Sequence, residues 1–456
     1  MVSAIFDRLE PQVREALESE QFDRLREMLA EQHPADIADV LERLDPDQQY
    51  QVFQFIDPDY QPEVLDHLGG RATRDLLARL PVELVGDLLD QLPMDDAVEI
   101  LTEDVPELQD QLLAAMEAED AAEVQRLLQY PPHSAGLLMT EQYVHVRSDM
   151  TASETLHYLR QVDDEVETVH DLYVLAEQKK LIGVFSLREL LRQPPEAHIE
   201  SFMETDVVTV SPETDQEIVA RTVAHYDFLA IPVVDDNQIM LGIITVDDII
   251  DVLTEENTED MLRFGGVETG GVDQPYFTVP LFHVLRSRFG WLLLLMVADT
   301  LTGTVLRLFD AQLAAVVQLS FYIPLLIGTG GNTGSQTVST IIRGLAVRDI
   351  RFGDIFRVIR RELLSGLVLG IALSIVAVIR SFTWDGDIEI ALVVGISIIA
   401  ICTWSNVIGS VIPLVANRVG IDPAIVSAPM ISTLVDATGL FIYLSIAGSI
   451  LATRLS

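Results

Sequence analysis

The chain has 456 residues, 71 of them acidic against 29 basic, for a formal charge of −42, and a single cysteine. Residues 1–275 hold 61 of the acids and 17 of the bases, a balance of −44, whereas residues 276–456 carry ten acids, twelve arginines and no lysine, a balance of +2. So acidic a first part argues against a nucleic-acid partner, because phosphate contacts need basic side chains, and Cys402 alone excludes intrachain disulfides and cysteine-based metal sites.

The first twenty residues, MVSAIFDRLEPQVREALESE, are acidic and amphipathic, which predicts no cleaved signal. Residues 1–130 then read as helix after helix. Leu, Val and Ile recur at three- and four-residue spacing between short Pro- or Asp-rich turns, as in QHPADIADVLERLDPDQQ and LARLPVELVGDLLDQLPMDDAVEIL. That pattern predicts an all-α superhelical stack, and it contains no His–Glu or Ser–His–Asp constellation that would give it a catalytic role.

The stretch LLQYPPHSAGLLMT, residues 127–140, leads into an internal repeat over residues 137–256. LMTEQYVHVRSDMTASETLHYL aligns with FMETDVVTVSPETDQEIVARTV at an offset of 64, and LIGVFSLREL with LGIITVDDII at an offset of 59. Each copy alternates β-rich runs with helical patterns and ends in Gly-x-x-Ser/Thr-x-x-acid, with Ser186 before Glu189 and Thr245 before Asp248. A hydroxyl and a carboxylate at a strand-to-helix turn suit a phosphate and a ribose, and equally suit the cap of the following helix. This α/β repeat resembles a pair of cystathionine-β-synthase (CBS) domains, over 131–200 and 201–256, which implies one folded unit with an adenosine-nucleotide cleft.

VDDIIDVLTEENTEDMLRFGG begins a long connecting helix, whose region is placed over 257–285, and it is dense in acids: Asp247, Asp248, Asp251, Glu255, Glu256, Glu259 and Asp260. Carboxylates at that density repel other acidic surfaces until cations bridge them, although any one of them alone reads as a solvated acid.

Residues 286–456 read as an all-α membrane domain. Five apolar runs, at roughly 289–309, 312–342, 363–383, 388–416 and 422–451, each reach the length of about 20 residues that a spanning helix needs. Arg286 and Arg288 before the first run, and six arginines between the second and third, predict a cytoplasmic N-terminus and an outside C-terminus. Pro324 and four glycines beside Asn332, Thr333, Ser335 and Gln336 predict a broken second helix, and Asn406, Gly409 and Pro413 a similar interruption in the fourth. In the fifth, Ser432, Asp436 and Gly439 fall at i, i+4 and i+7 on one face; small residues there suit helix packing, but a carboxylate needs a partner or a cation. The surroundings offer oxygen donors only, which favours a hard cation such as Mg²⁺. Asp299 in the first run is a further intramembrane acid, with Arg307 as its expected partner or with a role near a subunit interface.

The order of acidic helical domain, YPPHSAGLLM junction, CBS pair, connecting helix and five spans, with GTGGNTGSQ and DPAIVSAPMISTLVDATGLFIY, resembles the MgtE family of magnesium channels over essentially the whole chain. The resemblance implies a multidomain protein that is not an enzyme: a homodimer in the lipid bilayer of the cell membrane, with its pore on the dimer axis. Asp436 would bind hydrated Mg²⁺, with Ser432, Thr433 and Asn332 lining the same site. It implies gating by cytosolic Mg²⁺ at Asp215, Glu217, Asp227, Asp248, Asp251, Glu256, Glu259 and Asp260, faced by acids of the helical domain, for which Asp87 and Asp90 are the expectation. ATP is implied as a regulatory ligand at Arg188, Glu189, Phe228 and Thr245. Two other classes stand beside this one: an ion-coupled secondary transporter with Asp436 as its coupling carboxylate, and a membrane-anchored adenylate sensor that conducts nothing.

Overall fold

Residues 2–162, 166–268 and 279–455 are described by the computed structural model, and they group into two units divided between Glu256 and Asn257. The first unit starts with the expected stack of short helices: α1 (Val2–Glu18), α2 (Phe22–Ala30), α3 (Pro34–Leu41), α4 (Pro46–Phe53), α5 (Gln61–Asp66), α6 (Gly70–Leu77), α7 (Val82–Leu89), α8 (Met94–Glu99), α9 (Gln109–Leu113) and α10 (Ala118–Leu127). Prolines open α3 and α4, where a missing N–H is harmless, and the His33 and Asp45 side chains accept from the first free backbone N–H groups. The apolar stripes converge on one core that includes Leu25, Leu41, Phe53, Leu76, Leu89 and Leu101. That core runs on through Val219, Ile231 and Ile244, so the helical stack and the second repeat are packed together.

The repeat folds as β1 (Tyr143–Val146), α11 (Ala152–Leu159), β2 (Thr168–Leu175), β3 (Leu181–Ser186), α12 (Leu187–Arg192), α13 (Gln216–Tyr226), β4 (Ala230–Val234), β5 (Met240–Thr245) and α14 (Val246–Phe264). β1 runs parallel to β2, β2 antiparallel to β3, and β4 antiparallel to β5. Each copy lends its lead-in segment to the other: Thr140 bridges Ile243 of β5, and Glu204 bridges Val184 of β3. This exchange explains the glycine of each motif. A side chain at Gly183 would lie 2.7 Å from Met203 Sδ, and one at Gly242 would lie 2.6 Å from the Thr140 carbonyl, so neither strand could accept its visitor.

α14 starts at the end of β5, within the VDDII stretch expected to begin the connecting helix; residues 269–278 of the region placed over 257–285 lie outside the described residues. The second unit continues with α15 (Leu281–Leu308), α16 (Asp310–Ala315), α17 (Gln318–Ala346), α18 (Ile355–Asp385), α19 (Ile388–Arg418), α20 (Ala428–Ile450) and α21 (Ala452–Leu455). Among the described residues four segments are long and apolar enough to cross a membrane: α15, Phe352–Trp384, α19 and α20. The remaining expected span, the second, is α17, which has 29 residues, about 43 Å of helix, and it is the polar run in its middle that sets it apart.

The expected breaks in the second and fourth spans do not occur, for α17 and α19 are each continuous. Pro324 costs α17 one backbone hydrogen bond near its start, while Thr329, Thr333, Thr337 and Thr340 each return their hydroxyl to the carbonyl four residues back. The glycines serve contact with neighbouring helices instead: Gly330 faces Ile401 and Val435, and Gly334 faces Ile431. α19 is the buried centre of the unit, packed between α17, α18 and α20, and Tyr443 donates to the Leu319 carbonyl at 2.9 Å to tie α20 to α17.

Candidate functional site

Two sets of carboxylates stand out, one in each unit. In the second unit, Asp436 and Ser432 lie one turn apart on α20, and both turn toward Gly331 of α17. A side chain at position 331 would collide with Ser432 Oγ and come within 3.7 Å of Asp436 Oδ1, so the glycine lets the two helices close around these oxygens. Gly439, expected on the same face, instead faces Ile401 and is buried. Asn332 is exposed beside Gly331, and Thr433 is half-buried beside Ser432.

Among the described residues no basic side chain pairs with Asp436; the charge that acts on it is Asp299 of α15, a second carboxylate. Asp299 forms no ion pair with Arg307. Eight residues put the two about 12 Å apart along α15, too far for contact.

Below these helices' apolar stretch, the last turn of α14 is fastened within the same unit. Arg263 donates to Asp422 at 2.7 Å and pairs with Glu259, while Phe264 packs against Val338, Val426, Ile431 and Val435 of α17 and α20 and their loop. Glu259 is therefore held by an arginine one turn away.

The first unit gathers acids from two sources. Asp66, Asp95, Asp96 and Glu99 come from α5 and α8, and Glu167, Asp247, Asp248 and Asp251 come from the repeat and α14. Burial, and then the neighbouring like charges, push Asp96 up to about 10 and Glu99 up to about 8. Asp248 is raised to about 7 by burial, against the opposing hydrogen bond from Thr245, and burial likewise holds Asp95 well above the ordinary carboxylate range. Asp66 and Asp96 lie within hydrogen-bond reach of each other, and burial raises both above the ordinary carboxylate value. Asp95 is 7% exposed, and its Oδ1 has no hydrogen-bond donor among the described residues. An orphaned buried carboxylate oxygen amid other carboxylates is the environment a hard dication completes, and the all-oxygen donor set fits Mg²⁺.

Asp248 and Asp251 lie among these acids, whereas Asp90 lies elsewhere, with Asp87 beside it. Asp90 accepts from the Glu117 backbone N–H at 2.9 Å, and its charged neighbours are Asp120, Glu117 and Asp87, all within the helical stack. Asp215 caps α13 by accepting from Glu217 N–H at 3.0 Å, Glu217 pairs with Arg221, and Glu256 accepts from Gln216 at 2.9 Å, so these three acids cluster at the start of α13. Asp227 sits at the other end of that helix, about 16 Å away, in a left-handed C-cap with φ 56°. Glu167 and the Asp66, Asp95, Asp96 and Glu99 group escaped the sequence reading.

The expected nucleotide residues have local partners. Ser186 and Glu189 close a capping box, and Thr245 Oγ1 donates to Asp248 at 2.8 Å. Arg188 is exposed on α12, and Phe228 stacks on the exposed Tyr226 ring at 5.2 Å.

Residues 323–446 match a family model described as the divalent cation transporter MgtE, residues 32–133 match the MgtE intracellular N domain, and residues 135–196 and 199–255 each match the CBS domain. Over 352 residues the chain is 41% identical to the magnesium transporter MgtE of Thermus thermophilus, covering 77% of this chain and 78% of that protein. It is 37% identical over 335 residues to the magnesium transporter MgtE of Bacillus subtilis, covering 74% and 73%. Its fold is similar to that of the cytosolic domain of the Mg²⁺ channel MgtE in complex with ATP, at 36% identity and a TM-score of 0.51 over 53% of this chain and 99% of that one.

Proposed function

This chain belongs to the MgtE family of divalent cation transporters, and on that premise we propose that it is a Mg²⁺ channel of the cell membrane, closed by cytosolic Mg²⁺ and tuned by ATP. The observation that carries the reading is Asp436: a carboxylate on an apolar helix, without a basic partner among the described residues and with Asp299 as its charged neighbour. One such charge near the middle of a bilayer costs roughly 2.5–3.5 kcal/mol, and a second like charge beside it adds to that cost. The arrangement is favourable in a water-lined path that carries a dication. Two protomers, each contributing Asp436 and the Ser432 oxygens, would flank that path, with Asn332 and Thr433 at its edge. An inward-negative potential then drives the ion in with about 4.6 kcal/mol per 100 mV for two charges.

Closure rests on the acid cluster of the first unit. Asp95, Asp96, Asp248 and Asp251 would hold Mg²⁺, whose charge offsets their repulsion and keeps the helical domain against the repeat. Asp215, Glu217 and Glu256 form a second acidic group of the same kind. The fastening of α14 by Arg263 and Phe264 onto the ends of α17 and α20 supports a mechanical link from the cytosolic acids to the helices that carry Asn332 and Asp436. The solved relative's ATP complex supports a nucleotide on the repeat, for which Phe228 and Arg188 would supply a ring for the base and a charge for the phosphates.

Mg²⁺ entry into indicator-loaded proteoliposomes tests the proposal. The intact chain should conduct at low Mg²⁺ on its cytosolic side and close as that concentration rises, while Asp436→Ala should not conduct. Flux that persists in Asp436→Ala removes the pore assignment, and flux that requires a counter-ion gradient replaces the channel with coupled transport.

A further inference from the structure

On the helical stack, bordering the acid cluster at Asp66 and Asp251, three side chains of a different chemistry meet. His33, Glu63 and His67 each offer a ligand atom, and these atoms all lie within 4.8 Å of one another. Glu63 and His67 are four residues apart, on one face of α5 and its C-cap, and His33 comes from the N-cap of α3, which packs on α5. The two imidazole rings stand 6.4 Å apart with 36° between their planes, which rules out stacking on each other. Behind His67, the Asp66 carboxylate lies 3.7 Å from Nδ1. At that distance the carboxylate makes no hydrogen bond, but its charge favours a proton on Nδ1 and so leaves Nε2 as the free ligand nitrogen.

We propose that His33, Glu63 and His67 form a binding site for a Zn²⁺-class transition-metal ion, clasping the start of α3 to the end of α5. The donor set decides the ion. Two imidazole nitrogens and one carboxylate suit Zn²⁺, Co²⁺ or Ni²⁺, whereas Mg²⁺ and Ca²⁺ take oxygen ligands. The molecule therefore carries two kinds of cation site sorted by chemistry: oxygen-only groups for the hard ion, and this nitrogen-containing group for a softer one. Exposure of all three residues leaves further coordination positions to water and gives the ion direct access from solution.

His33 sets the cost of binding. Its Nδ1 accepts from the Ala35 N–H at 3.2 Å, so metallation of this ring gives up that cap, whether the ring turns Nδ1 to the ion or moves its proton to Nδ1 and binds through Nε2. The cap also supplies a variant that folds: His33→Asn removes the imidazole and keeps a capping side chain.

The test is titration of the purified full chain in detergent with Zn²⁺ by calorimetry, in Mg²⁺ sufficient to fill the oxygen sites, together with the visible spectrum of the Co²⁺-loaded protein. One Zn²⁺ per chain is expected, bound at least tenfold more weakly in His33→Asn and in His67→Gln, with loss of the imidazole-bound Co²⁺ bands in both. Unchanged affinity and stoichiometry in the two variants, or no saturable Zn²⁺ binding above Mg²⁺ in the intact chain, overturns the site. Because the readout is binding, neither result depends on whether the protein conducts.

Discussion

The molecule holds carboxylate against carboxylate in two places, and the surroundings are opposite. In the first unit Asp95, Asp96, Asp248 and their neighbours are buried against one another, and without a cation burial favours their protonated forms: Asp96 is pushed up to about 10 and Glu99 to about 8. In the second unit Asp436 is only half-buried, Asp299 is exposed, and the nearest groups are the small Gly331 and Ser432. A closed cluster changes its packing according to which cations or protons it holds, which suits a sensor. An open pair lets an ion both arrive and leave, which suits a conduction path.

The largest effect expected from breaking this contrast is at Asp436. Asp436→Ala should reduce Mg²⁺ flux in proteoliposomes by at least a hundredfold, yet leave Mg²⁺ binding to the cytosolic acids unaltered in calorimetry. Loss of both together would mean that the variant had disturbed the fold rather than the path. Gly331→Leu ranks next. The added side chain has no space against Ser432, so stability should drop by about 1–3 kcal/mol and flux by more than tenfold, read from thermal melts and the same flux assay.

On the cytosolic side, Asp95→Asn replaces a buried acid that has an orphaned oxygen and removes one of the cluster's potential negative charges. The Mg²⁺-free protein should become more stable, by a few degrees in Tm, while the Mg²⁺ concentration that closes the channel rises about tenfold. A variant that lost stability in EDTA would show that Asp95 is held by something other than repelling acids. Titration sharpens the same point. Asp96, Glu99 and Asp248 have folded values raised to about 10, 8 and 7 from ordinary values of 3.8, 4.5 and 3.8, so between those limits the native state binds more protons than the unfolded chain. Stability therefore falls as pH rises from about 4, and continues to fall until each group ionises in the folded state. In EDTA, Tm should be lower at pH 9 than at pH 6, and Mg²⁺ should flatten the slope because bound cations displace those protons.

How much of this was legible depended on whether a residue's role is local. Ser432 and Asp436 share a face by simple i, i+4 spacing, and an acid in an apolar run announces itself. The capping pairs Ser186–Glu189 and Thr245–Asp248 were equally readable from spacing. Asp95 was readable in principle, since it shares a stripe with Val98 and Leu101 at i, i+3 and i+6, both buried, and an acid on such a stripe needs an explanation. Asp66 and Glu167 carry no such mark; only the packing of helices on the repeat brings them together. The glycines of α17 misled, because with Pro324 they looked like breaks when they were contact points, and the sequence reading gave no reason for Gly183 and Gly242, which make room for segments exchanged between the repeats.

The smallest effect expected is at Asp299, and it decides how far the contrast between the two regions extends. The side chain lies on the unburied side of α15 and acts on Asp436 through its charge, with no hydrogen bond between the two among the described residues, so its share in holding an ion should be smaller than that of Asp436 itself. Asp299→Asn should therefore lower Mg²⁺ flux by no more than about fivefold, and the deficit should shrink as ionic strength rises, because screening already weakens the interaction that the substitution removes. A loss comparable to Asp436→Ala would make the two carboxylates one shared ligand set, closer in kind to the cytosolic cluster than the structure suggests. An unchanged flux would leave Asp436 as the single acid of the path in each protomer, with Asp299 placed on α15 for reasons unrelated to conduction.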